Sequence, residues 1–397
     1  MEKSFWKSKP LIINEEKDFN QILSNEDILE KVNDQIISSK LKLDYKLYSF
    51  EKIISNHQLL TDTKLNEIVL FINNNYISGG DDNDFKYIYT FDLLKLFCKD
   101  SIILEFYPKN NATIVGYIIS KKTKLSYFDK CSEFLEVNFL CLITKLRNLN
   151  LAPFIINCLT KESIINYGLS VAHYTINSPI KSPYFSKKRF YHRMINIDNL
   201  INCKFINDDS DGKNIDILKK VYNTFSYKLP SKNKKVIIVN NKNKEIYLNN
   251  IYEKYKEYSK NTYDVYLNTT VEELNDILDN NSFYNFIILN GTSDNLEAFI
   301  SFFKIDTINN SGIYKNGFYY KLCFPLETEK IDKIDYLELV NEYIYKNNIF
   351  DVITFGDHFD IDYKHMKCVQ GTGELKYYLF NYNFTKINNH KNGLVTI

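Results

Sequence analysis

Between Glu136 and Pro153 the chain reads EVNFLCLITKLRNLNLAP, and the residue types there suit the handling of a phosphate-bearing thioester. Leu135, Val137, Phe139 and Cys141 alternate with Glu136, Asn138 and Leu140, the period-two pattern of a strand with two unlike faces. Pro153 fits the first turn of a helix, where its missing N–H costs nothing, and Ile155, Ile156, Leu159 and Ile164 give that helix an apolar stripe. The turn between them, Arg147-Asn148-Leu149-Asn150-Leu151-Ala152, therefore points a helix N-terminus and its free amides outward, where phosphates bind. Such a strand, turn and helix can hold an acyl-CoA.

Moving an acyl group from a thioester to an amine needs donors aimed at the oxyanion, a neutral amine, and an acceptor for its proton. Strand backbone can supply the donors. Polar candidates are Asn138 and Thr175 on strands, His192 in Phe190-Tyr191-His192-Arg193, and Asp81, Asp82 and Asp84 in a glycine-containing loop. Read alone, each has a plain structural meaning: strand polar residues, a packed histidine, a solvated turn. The acidic loop lacks the spacing and closing glutamate of an EF-hand, so no calcium site is expected, and no other metal is needed.

The elements that must position these groups follow an α/β order with a crossover. The pattern predicts a helix over 65–76, a strand near 114–119, the strand, turn and helix above, and a second apolar strand over 169–175. A polar passage from Asn207 to Lys235 is the candidate boundary between two units, as the length of 397 residues suggests. Beyond it, strands are expected at 236–239, 286–289 and 298–303 and a helix at 336–345. Asn-rich turns at 240–243 and 309–312 read as loops.

The string EVNFLCLITKLRNLNLAP resembles the signature of eukaryotic protein N-myristoyltransferases, whose usual form is close to EINFLCVHKKLRSKRVAP. Three further stretches are similar to that family, in order: Ser4-Phe5-Trp6 to its opening segment, Asn75-Tyr76 through Phe85-Lys86-Tyr87 to its acidic peptide loop, and Gly371 to Ile397 to its closing strands. The resemblance implies an α/β (α+β) fold of two acetyltransferase-like (GNAT-type) halves related by a pseudo-two-fold axis, with a central mixed twisted sheet flanked by helices. Residues 1–203 would hold the acyl-CoA, and 204–397 would bind peptide and carry the C-terminal carboxylate. It implies transfer of myristate from myristoyl-CoA to the N-terminal glycine of proteins by direct attack, so Cys141 is not a nucleophile. The amides of Phe139 and Leu140 would form the oxyanion hole. Ser4, Phe5, Trp6, Cys141, Leu142, Arg147, Asn148, Leu149, Asn150, Leu151 and Ala152 would contact the acyl-CoA. Tyr76, Asp81, Asp82, Asp84, Phe85, Tyr87, Asn138, Thr175, His192, Gly371 and Gly373 would contact the peptide.

The implied proton acceptor is the terminal carboxylate of Ile397. An α-carboxylate near 3.5 and an α-amine near 8 are mismatched by about 4.5 pH units, or roughly 6 kcal/mol, so positioning and burial must close the gap. This chain departs from the family in the phosphate turn, which keeps one cation, Arg147, with Lys3 and Lys145 as possible substitutes. Phe190 stands where the family has a hydroxyl, and Gly371-Thr372-Gly373 replaces G-D-G. Rival readings are an acyltransferase using a shorter acyl-CoA, and a module that binds acyl-CoA or N-terminal-glycine peptides with little turnover.

A formal net charge of +1 provides no global field for nucleic acid or an anionic membrane. Hydrophobic residues at 44% can build a sizeable core. Seven cysteines without C-x-x-C spacing fit reduced thiols and a cytoplasmic location. No stretch approaches about 20 apolar residues and no secretory leader is evident, so integral membrane association is not expected. Glu2 excludes this chain as its own myristoylation acceptor. A monomer is expected.

Overall fold

The computed structural model describes residues 48–54, 60–76, 86–109, 111–128, 130–149, 151–177, 180, 182–206, 213–225, 234–326 and 330–395. Ser4, Phe5, Trp6, Asp81, Asp82, Asp84, Phe85, Asn150 and Ile397 lie outside the described residues.

The chain runs β1 (Tyr48–Ile54), α1 (Asp62–Asn75), β2 (Lys86–Ile88), α2 (Phe91–Cys98), β3 (Ser101–Pro108), β4 (Gly116–Tyr127), β5 (Lys130–Leu142), α3 (Ala152–Tyr167), β6 (Ala172–Ile176) and β7 (Ser186–Met194). After α4 (Ile197–Asn202) and α5 (Lys213–Tyr222) the same order returns. It is β8 (Lys234–Val239), α6 (Lys244–Thr262), β9 (Val265–Leu267), α7 (Val271–Asp279), β10 (Phe283–Asn290), β11 (Leu296–Asn309), β12 (Gly312–Cys323), α8 (Lys330–Lys346), β13 (Val352–Gly356) and β14 (Cys368–Phe380).

The pairings repeat with the elements, strand n corresponding to strand n+7. In both halves the first, third, fourth and fifth strands form an antiparallel run. The fifth and sixth are parallel in each, β5 to β6 and β12 to β13, and a parallel pair needs a long crossover, here α3 and α8. Each half lends its second strand to the other, β2 to β11 and β9 to β4. The seventh strands are exchanged too: β14 lies beside β6, β7 lies beside β13, and the two pair with each other. One 14-stranded mixed sheet results, with a pseudo-two-fold between β7 and β14. This is the expected α/β class, two halves of like topology about a shared mixed sheet.

Local differences from the sequence expectations have physical causes. Helix α3 starts at Ala152 with Pro153 in its first turn, and ends on Gly168 at φ 65°, a left-handed cap whose N–H reaches Ile164 and Ser163. The Ser163 hydroxyl donates to Leu169 O at 2.9 Å, so the chain stays in the cap and β6 begins at Ala172 rather than 169. Strand β4 runs to Tyr127, past the expected end at 119, because β3, β5 and β9 all pair with it and carry its lysine-rich stretch. The passage 207–235 contains α5.

Candidate active site

β5 and β6 are paired only through Leu135, Glu136 and Val137, which face Ala172, His173 and Tyr174. Beyond that point they part. On its other side β5 is bulged: Tyr117 faces Cys141 and Ile119 faces Asn138, so the single residue Ile118 stands opposite Phe139 and Leu140. Phe139 takes φ 51°, a conformation uncommon for a bulky residue. A bulge of this kind leaves its extra residue outside the ladder and re-aims the local backbone. Packing holds the turn: Phe139 is 2% exposed, with the rings of Tyr89, Tyr76 and Phe97 at 5.2, 5.4 and 6.0 Å.

The parted strands open onto a cavity of about 760 Å³, within the roughly 300–1,000 Å³ usual for small-molecule sites. Asn138, Phe139 and Leu140 line one wall and Thr175, Ile176 and Asn177 the other. Ile156, Leu159, Thr160 and Ser163 of α3 extend it along the first half, while Phe303, Ile305, Phe318 and Thr354 extend it into the second. β12 has a register shift at the corresponding place, where β11 Ser301 faces Lys321 and Phe302 faces Tyr319; there Tyr319 stacks on Phe355 at 4.1 Å and itself lines the cavity.

Of the expected site residues, Tyr76, Tyr87, Asn138, Phe139, Leu140, Thr175 and Gly373 all line the cavity. His192 stands one layer back: its Nδ1 lies 3.0 Å from the hydroxyl of Thr354, and burial lowers its pKa to about 4. A Cβ on Gly371 would fall 2.5 Å from His192 Nε2, so the histidine is packed under a glycine. Burial pushes the Cys141 thiol up to about 12 despite Arg147 nearby, which disfavours thiolate formation.

The turn expected to meet phosphates is a short 3-10 helix, Thr144–Leu149. Leu149 is exposed, whereas Leu151 is buried and begins α3 with no side-chain cap on the first amides. Arg147 is engaged locally, Nε donating to Leu142 O at 3.3 Å and Nη2 to the Asn75 carbonyl. Ala152 is the first residue of α3.

Sequence reasoning missed Lys188, Thr354, His358 and Val395, all on the cavity wall. Lys188 hid in a basic run, Lys187-Lys188-Arg189, that reads as a solvated face. The two-residue period was the available signal, since Ser186 and Lys188 are buried while Lys187 and Arg189 are exposed. Its Nζ donates to the Leu394 carbonyl and sits 4.8 Å from the Tyr377 ring centre. Burial holds the Lys188 pKa well below the usual lysine range, against the pull of Asp357. His358 is buried beside it and lowered by burial first and then by the Lys188 charge.

Among the described residues no group of His, Cys, Asp or Glu is arranged to hold a metal ion. No described helix is long and apolar enough to cross a membrane. All seven cysteines are free thiols.

Residues 30–186 match the family model of the myristoyl-CoA:protein N-myristoyltransferase N-terminal domain. The chain is 25% identical to the glycylpeptide N-tetradecanoyltransferase of Plasmodium falciparum over 424 residues, covering 99% of this chain and 93% of that one. It is 26% identical to that of Kluyveromyces lactis over 409 residues, covering 96% and 86%. In fold it is similar to Saccharomyces cerevisiae N-myristoyltransferase with bound myristoyl-CoA, at a TM-score of 0.77 and 19% identity, covering 99% of this chain and 94% of that one. Residues 30–186 thus resemble the N-terminal domain of N-myristoyltransferases, and nearly the whole chain is similar in sequence to glycylpeptide N-tetradecanoyltransferases.

Proposed function

We propose that this protein transfers myristate from myristoyl-CoA to the N-terminal glycine amine of protein substrates. The amine attacks the thioester carbonyl, a C–N bond forms, the C–S bond breaks, and CoA leaves as a thiolate. The amides of Phe139 and Leu140, residues without a register partner at the bulge, are assigned to the oxyanion. Asn138 and Thr175, on facing walls of the cavity, are assigned to the amine. Its proton goes to the carboxylate of Ile397. Val395 supports that assignment: it lines the cavity and packs on the cluster containing Phe139, and two further residues reach at most about 7 Å.

The acyl-CoA is assigned to residues 1–203 and the peptide to a groove to which both halves contribute, since Tyr76, Tyr87, Asn138 and Thr175 of the first half and Phe318, Thr354 and Gly373 of the second line the same cavity. A fourteen-carbon chain buried there gains about 0.8 kcal/mol per CH₂, on the order of 10 kcal/mol in all. The free thiols support a cytoplasmic setting. The observation that carries this reading is the bulge at Phe139 opening onto a cavity shared with Val395. Incubation with myristoyl-CoA and a Gly-x-x-x-Ser-Lys peptide should add one myristoyl group to the peptide by mass. No product, with both ligands bound, would refute it.

One observation favours a second reading, a binding module with little turnover: Arg147, the cation kept in the phosphate turn, is already bonded to Leu142 and Asn75. Thermal stabilisation by acyl-CoA without product formation would select that reading.

A further inference from the structure

Lys188 has no part in the chemistry above, yet its amine is buried on the cavity wall. A polar group so placed costs free energy unless it is hydrogen-bonded, and an apolar side chain would fill the space more cheaply. What it holds is specific. Residues 391–394 are tied down in sequence: Asp264 N donates to Lys391 O at 2.8 Å, Gly393 N to Val265 O at 2.7 Å, and Leu394 N to Asn392 Oδ1 at 3.0 Å. Lys188 then takes the Leu394 carbonyl, and the next residue, Val395, enters the cavity.

We propose that Lys188 is a positioning residue for acyl transfer, fixing the Leu394 carbonyl so that Val395 enters the cavity walled by Phe139 and Leu140. This rests on the reading that the carboxylate of Ile397 accepts the glycine proton. Three residues beyond Leu394 span at most about 10 Å, so a modest rotation at this anchor swings the chain end by several ångströms. A misplacement of about 1 Å can cost on the order of 100-fold in rate.

The test uses the full chain as wild type, Lys188→Met and Lys188→Gln, each with and without one alanine added after Ile397. Lys188→Met should lower kcat by about 100-fold while KM for myristoyl-CoA changes by less than about twofold. Lys188→Gln, which keeps a donor, should recover part of that loss. The added alanine should cripple the wild type but cost Lys188→Met less than about threefold more, because groups acting as one unit are not additive. Near-normal kcat in folded Lys188→Met, or two losses that multiply, would overturn the inference alone. A harmless extension of the wild type would instead overturn the carboxylate reading and this inference with it. Should Lys188→Met not fold, Lys188→Gln with the extension decides the same question, multiplicative losses again counting against Lys188.

Discussion

Glycine and alanine should rank in opposite orders at two phenylalanines of the same strand. Phe139 and Phe134 both lie on β5 and both are buried, but Phe139 has φ 51° whereas Phe134 is absent from the left-handed region. Truncating either ring to alanine removes a core side chain and should cost about 3–5 kcal/mol. At Phe134 a further step to glycine should cost about 0.5–1 kcal/mol more, the usual entropic penalty in a strand. At Phe139 alanine retains a left-handed strain of about 1–2 kcal/mol that glycine escapes, so after the entropic penalty glycine should be the more stable by about 0.5–1 kcal/mol. The contrast between the two sites is then about 1–2 kcal/mol, readable as opposite orders of urea midpoints. If glycine is the weaker residue at both positions, Phe139 is not left-handed. The backbone donors assigned to the oxyanion would then remain within the ladder.

Cys141→Ala should retain transfer within about threefold, since burial holds its thiol near 12 and direct attack needs no acyl-enzyme; a myristoyl adduct on Cys141 by peptide mass would refute this. Shortening the acyl chain by two carbons should weaken acyl-CoA binding by about fifteenfold, at about 0.8 kcal/mol per CH₂, and calorimetry across a length series checks it. Burial lowers His192 to about 4, below its unfolded value near 6.5, so the unfolded chain binds the extra proton between those limits. Stability present above about pH 6.5 is therefore lost as pH falls through about 4, by roughly 3 kcal/mol from this group. Urea midpoints of wild type and His192→Asn between pH 7 and 4.5 should converge as pH drops.

Much of the first half was legible because its signals are local. Alternation over 135–141 and Pro153 specify β5 and α3 through the chemistry of nearest neighbours, and Leu65, Ile68 and Ile72 specify the buried face of α1. The bulge was not legible from pattern, because phenylalanine is an ordinary strand residue and nothing local announces a left-handed φ; only the family resemblance pointed there. Lys188 was missed because burial of a lysine depends on a carbonyl 206 residues away in sequence. The repeat of seven strands was hidden for a similar reason. It resides in which strands pair, while the two halves share no visible string.

The exchange of β7 and β14 has a consequence during synthesis. When β6 and β7 have emerged from the ribosome, neither has its central neighbour: β6 awaits β14, and β7 awaits both β13 and β14. Until Cys368–Phe380 arrives, the nascent first half carries bare strand edges beside an open greasy cleft, a template for mispairing. Premature termination anywhere between β7 and β14 should therefore yield sticky, chaperone-dependent fragments rather than a stable first half.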